Sequence, residues 1–169
     1  MFALLATLQS SASIDWQRWL QQDVRWLIGP NEMNRFLSLR NDRERAHFAK
    51  EFWARRDPTP GTARNEFREM HERRLSEANQ QFSANAVPGC LTDRGHVYIL
   101  YGPPDRIEMG AGQNWHYNLI DGLGANIDMH FEDPNHDGNW KLVMNGDETK
   151  AIFFQADPYT GRLGNILRH

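Results

Sequence analysis

Apolar residues recur at helical spacing through the first half of the chain and at alternate positions through much of the second. Trp16, Trp19, Leu20, Val24 and Leu27 line one side of a helix over residues 15–28, which Asp15 can cap. Gly29-Pro30 stops it, since glycine ends helices easily and proline cannot continue one. Asn31 then caps a short helix in which Met33, Phe36 and Leu37 supply the apolar contacts. Asn41-Asp42 opens a third helix carrying Ala46, Ala49, Phe52 and Trp53. The longest starts at Thr62, with Ala63, Phe67, Met70, Arg74, Ala78 and Phe82 along one stripe. Arg74 on that stripe must either snorkel outward or pair with a carboxylate.

Beyond Pro88 the pattern changes. Residues 96–101 (His-Val-Tyr-Ile-Leu-Tyr) read as a strand by their β-branched and aromatic content, ended by Gly102-Pro103-Pro104. Residues 106–109 form a short edge strand, 114–120 the next, and 126–132 a third. In the last, Ile127, Met129 and Phe131 alternate with Asp128, His130 and Glu132. Residues 140–144 return after an Asp/Asn/Gly turn. Short turns join these strands, so the sheet is expected to be antiparallel with the helices packed on it, an α+β domain.

One chain of 169 residues with six Trp, nine Phe and four Tyr can bury a sizeable core as a single domain. The net charge of −3 divides unevenly, the helical half being slightly basic and the remainder acidic. Neither half is basic enough to bind nucleic acid by charge, and only Lys50, Lys141 and Lys150 among the cations are lysines. Arginine's forked geometry suits the helical half to specific ion pairs. The single cysteine, Cys90, excludes an intrachain disulfide and argues against a cysteine-based zinc site. No window approaches the roughly 18 apolar residues of a membrane span. Phe2 to Leu8 is apolar and Ser10-Ser11-Ala12 resembles a cleavage site, so residues 1–14 read as an export-signal remnant or a frayed first turn.

Candidate chemistry concentrates in two turn motifs. Between the third and fourth helices, Arg55-Arg56-Asp57-Pro58-Thr59-Pro60-Gly61-Thr62 is a rigid corner, followed by Asn65-Glu66. The second is Thr92-Asp93-Arg94. Arg56, Asp57, Asn65, Glu66, Thr92, Asp93 and Arg94 are expected to form one polar cluster, a structural lock where helices meet sheet. Asp133, Asn135 and Asp137 match the first half of a calcium loop, but Met144 stands where its bidentate carboxylate belongs. Cys90 could act as a nucleophile with His71, His96 or His116 as base, although no cysteine-enzyme signature surrounds it. No zinc-peptidase helix or phosphate loop is present, and no cofactor is expected.

Several of these stretches resemble the bacterial GWxTD-domain proteins. They are Trp19-Leu20, Asp23-Val24-x-Trp26-Leu27-Ile28, Glu44-Arg45-x-x-Phe48, Phe52-Trp53-x-x-Arg56-Asp57-Pro58-Thr59-Pro60-Gly61-Thr62 and Asn65-Glu66-Phe67. Thr92-Asp93-Arg94-Gly95, residues 97–105 and Trp115-x-Tyr117 complete the likeness. The chain departs at the name-giving position, where Cys90 stands in place of Trp. Tyr101-Gly102-x-Pro104 followed by Trp115-x-Tyr117 is also similar to the small outer-membrane assembly lipoproteins, which act by binding other proteins. The resemblances imply one domain over residues 15–150, with a helical half over 15–83, a sheet half over 88–145 and a tail over 151–169. They imply a periplasmic or secreted, non-enzymatic module whose partner is another envelope protein. The alternative is a hydrolase using Asp57, Glu66 and Asp93.

Overall fold

Asp15 caps the first helix as expected, its carboxylate accepting the Arg18 amide at 3.0 Å. This helix, α1 (Trp16–Arg18), passes at once into a π turn over Trp19–Asp23, in which the Val24 amide reaches the Trp19 carbonyl at 3.0 Å. The continuous helix expected to Ile28 is thereby cut short. The Asp23 carbonyl instead bonds His71 Nε2 at 2.6 Å, so a tertiary hydrogen bond takes the place of an intrahelical one. Trp19, Val24 and Leu27 are buried as the pattern required.

The computed structural model describes residues 14–143. Gly29-Pro30 both ends one segment and opens the next. Gly29 is the cap and Pro30 the first residue of α2 (Pro30–Leu37), where a missing N–H costs nothing. The start therefore precedes Asn31, and Leu37, expected in contact, is exposed. Helix α3 (Asp42–Ala54) is capped by Asn41 and buries Phe48, Phe52 and Trp53. Helix α4 (Glu66–Phe82) begins later than Thr62. The Thr62 hydroxyl turns onto the Arg64 carbonyl at 2.7 Å, and Asn65 becomes the cap.

The main correction concerns residues 96–101, which are helical. Helix α5 (Asp93–Tyr101) starts at Thr92, whose Oγ1 accepts the Gly95 amide at 3.1 Å, and carries Asp93 in its first turn. It lies between α4 and the sheet and is buried from Gly95 to Leu100. A segment covered on every side has no amphipathic period, and β-branched content then mimics a buried strand. Gly102, at φ 84°, ends the helix in a conformation that other residues rarely adopt. Arg74 serves that end: its Nη1 donates to the Ile99 and Leu100 carbonyls at 3.2 and 3.1 Å. Backbone carbonyls at a helix C-terminus thus receive the stripe's cation.

The sheet runs β1 (Arg106–Met109), β2 (Gln113–Ile120), β3 (Gly124–Glu132) and β4 (Lys141–Leu142), in that spatial order and antiparallel throughout. β4 is shorter than the strand expected over 140–144, and Met144 lies outside the described residues. Register places Ile107, Trp115 and Met129 abreast, then Met109, Gln113 and Phe131. Ala78 and Phe82 of α4 and Val97, Tyr98 and Ile99 of α5 pack with Trp115, Tyr117, Met129, Phe131 and Leu142 in one core. The N-terminal helices build a second core from Trp19, Val24, Leu27, Phe36, Phe48, Phe52 and Trp53, to which α5 adds Leu100. The arrangement is α+β, as expected. The readings of residues 1–13 as a signal remnant and of 151–169 as a tail fall outside the described residues.

Candidate functional site

The turn before α5 is built by close approach. A Cβ on Gly89 would run into the Ala78 carbonyl of α4, and one on Gly95 into the Gly89 carbonyl, so both positions admit only glycine without a shift. Gly89–Leu91 forms a single 3₁₀ turn. Thr92 is buried and makes two bonds, donating its hydroxyl to the Gly89 carbonyl at 2.8 Å while accepting the Gly95 amide. Asp93 Oδ2 accepts the Leu142 amide at 2.9 Å and so ties the first turn of α5 to β4. Arg94 reaches the Gly138 carbonyl at 3.1 Å and Gln113 Oε1 at 3.4 Å, its guanidinium lying over Phe82 and Trp140. This half of the expected lock does join helix to sheet, but through backbone groups and rings.

The corner after α3 forms a separate junction. Arg56 is only 5% exposed; it donates to Phe52 and Leu27 carbonyls at 3.0 and 3.1 Å and stacks on the Phe52 ring at 3.7 Å. Its carboxylate partner is Glu32 of α2, bound bidentately at 3.0 and 2.7 Å and shared with Arg55 at 2.8 Å. Burial pushes the Glu32 carboxyl up, but Arg56, Arg55 and the Gly29 amide outweigh it and hold it below the usual range. Asp57 accepts the Thr59 amide at 3.0 Å, and Glu66 accepts the Thr59 hydroxyl at 2.6 Å. Asn65 caps α4 through Oδ1 and donates from Nδ2 to the Trp53 carbonyl at 2.8 Å. No hydrogen bond or ion pair among the described residues links this corner to Thr92, Asp93 and Arg94. The single polar cluster expected from the sequence is thus two fastenings. Glu32, their one buried-pair carboxylate, was missed because it lies 24 residues from Arg56 on an ordinary first helical turn.

The histidines are not arranged around Cys90. His71 donates Nε2–H to the Asp23 carbonyl, leaving a buried Nδ1 without a partner, and burial lowers its pKa below the usual histidine value. His96 stacks on Trp26 at 3.6 Å, and burial with the nearby Arg25 charge brings its pKa down to about 3. His116 binds Asp128 across β2 and β3 at 2.8 Å. Burial raises the Cys90 thiol, the reverse of what activates a nucleophile. In the acidic turn, both Asp133 oxygens accept backbone amides, of Asp137 at 3.1 Å and of Gly138 at 2.9 Å. Asp133, Asn135 and Asp137 therefore form a hydrogen-bonded turn.

A cleft of about 800 Å³ opens between the first helical turns, α3 and α4. Trp16, Trp19, Trp53, Ala49 and Leu75 provide its apolar surface, and Asp23, Lys50, Arg68, His71 and Glu72 its polar surface. Burial raises the Asp23 carboxyl, with Arg18 opposing and Glu72 and Asp15 adding to the rise. Arg68 pairs with Glu72 at 2.7 Å and leans over Trp53. None of Asp57, Glu66 and Asp93 lines this cleft.

The family model of the GWxTD domain matches residues 5–156. Comparison with curated proteins and with solved structures finds no match in either.

Proposed function

The chain belongs to the GWxTD-domain family, and we propose that it is a non-enzymatic protein-interaction module of the cell envelope that docks its partner along β1. The observation that carries this reading is the apolar continuation of the inner sheet face onto an open edge. Ile107 stands beside Trp115 and Met109 beside Gln113, on the face that α4 and α5 cover further along. Yet Ile107 is 49% and Met109 67% exposed, and Leu119 on β2 is 65% exposed. Among the described residues β1 pairs only with β2, which leaves its other edge open to a further strand there. Exposed edges are normally shielded, and apolar residues beside free backbone groups suit a partner strand added in register.

The motif residues favour binding over hydrolysis. Thr92, Asp93 and Arg94 are engaged with backbone groups, and Asp57 and Glu66 with Thr59. Placement in the envelope rests on the apolar Phe2 to Leu8 segment. The test is photocrosslinking from position 109 in the native bacterium, with position 121 as control and cell fractionation alongside. The expected result is one envelope protein captured from position 109 alone, and lost in the Ile107→Glu variant. Equal capture from both positions, or capture unaffected by Ile107→Glu, overturns the reading.

A further inference from the structure

The β1 edge carries a charge pattern that is its own complement. Gly110 donates its amide to the Gly112 carbonyl at 2.9 Å, in the same register that sets Glu108 opposite Asn114 and Arg106 opposite His116. Backbone groups alternate sides along an antiparallel strand. Residues 106, 108 and 110 therefore direct theirs toward β2, while Ile107 and Met109 turn theirs toward the edge that is open among the described residues. Side chains alternate across the sheet plane instead. Arg106 and Glu108 share the outer face, where Nε and Oε1 meet at 3.0 Å, and both side chains are more than half exposed. Ile107 and Met109 lie on the inner face, also exposed.

We propose that the partner docked along β1 is a second copy of this chain, added antiparallel about a two-fold axis at Ile107, so that two four-stranded sheets become one. This rests on the reading of β1 as the docking edge and names its occupant. In that register the outward amide and carbonyl of Ile107 bond their counterparts in the second copy. Arg106 of each copy stands opposite Glu108 of the other, and the pair within each copy joins a cluster of four alternating charges across the seam. On the inner face Ile107 meets Ile107, with Met109 diagonal to it from either side. Neighbouring arrangements lose this match. An axis at Glu108 sets Glu108 against Glu108, and a parallel edge in register sets Arg106 against Arg106. Charges on a sheet edge ordinarily forbid pairing. Here opposite signs two residues apart admit one arrangement and forbid those beside it. The strand is only four residues long, so the contact falls below the ~1,600 Å² of standard interfaces, and dissociation is expected at roughly 10 µM to 1 mM.

The test is analytical ultracentrifugation of the purified full chain at concentrations up to about 1 mM. The expected result is a reversible monomer–dimer equilibrium. Arg106→Glu and Glu108→Arg should each weaken it at least roughly tenfold, since either change leaves two like-charge pairs across the seam. An equimolar mixture of the two variants should regain wild-type affinity, because every Glu at the seam then faces an Arg. Both positions are exposed, and circular dichroism checks that each variant keeps the fold. A chain that stays monomeric throughout overturns the proposal. So does a dimer indifferent to both reversals, or a mixture that associates no more tightly than the separate variants. The two readings fail separately: capture of a different envelope protein from position 109, by a chain that is monomeric when pure, leaves the docking edge standing and removes the self-pairing.

Discussion

Replacing Glu32 with glutamine should destabilise the domain more than any change among the acids of the sequence motifs. The carboxylate accepts Arg56 Nη1 and Nη2 at 3.0 and 2.7 Å, Arg55 Nη2 at 2.8 Å and the Gly29 amide at 3.2 Å. Arg56 cannot swing to water, because its side chain is 6% exposed and held by the Leu27 and Phe52 carbonyls. Glutamine leaves the guanidinium charge buried with neutral acceptors only. Breaking a buried pair costs about 3–5 kcal/mol, and the partial exposure of Glu32 and the acceptor that glutamine keeps reduce this to about 2–3 kcal/mol. For a domain of this size that corresponds to a fall in Tm of roughly 10 °C. Urea unfolding followed by circular dichroism at pH 7 measures it directly. The sign with pH is equally specific. A glutamate whose folded pKa is depressed contributes stability above its unfolded value of about 4.3, and that contribution is lost as pH falls through the folded value. The gap between wild type and Glu32→Gln should therefore close in acid. An unchanged urea midpoint at pH 7, or a gap of equal size at pH 3, would refute the buried-pair account.

Gly95→Ala should unfold the protein or cost at least about 3 kcal/mol, since its Cβ would overlap the Gly89 carbonyl; a wild-type melting curve would contradict this close approach. Asp93→Ala should cost about 1–3 kcal/mol through loss of the Leu142 amide bond, with Asp93→Asn close to wild type because its amide oxygen still accepts. Equal losses in the two variants would point to charge as the cause instead. His96 stays neutral in the fold down to about pH 3 but takes up a proton in the unfolded chain below about pH 6.5. Between those values the unfolded state binds more protons, so stability should rise with pH by up to about 1.4 kcal/mol per unit from this group. His96→Gln should flatten that limb, and an unaltered slope would exclude His96 as its source.

The amino-acid pattern alone determined the elements whose faces differ. Asp15 and Asn41 cap where they were expected to, the Phe52 and Trp53 face of α3 is buried, β1 is the short edge strand expected, and β2 and β3 follow the alternation of apolar and polar residues. These signals are local: a cap or a two-residue period needs no knowledge of the partner surface. Arg56 was legible as a residue in need of a carboxylate, and Thr92 and Asp93 as residues of a fastening. Only the tertiary structure decided that Glu32 is the acid facing Arg56, that Asp93 holds β4, and that residues 96–101 are helical. Each depends on groups distant in the chain: 24 residues separate Arg56 from Glu32 and 49 separate Asp93 from Leu142. The cleft was the least legible feature. Its walls come from α1, the π turn, α3 and α4, elements far apart in the chain.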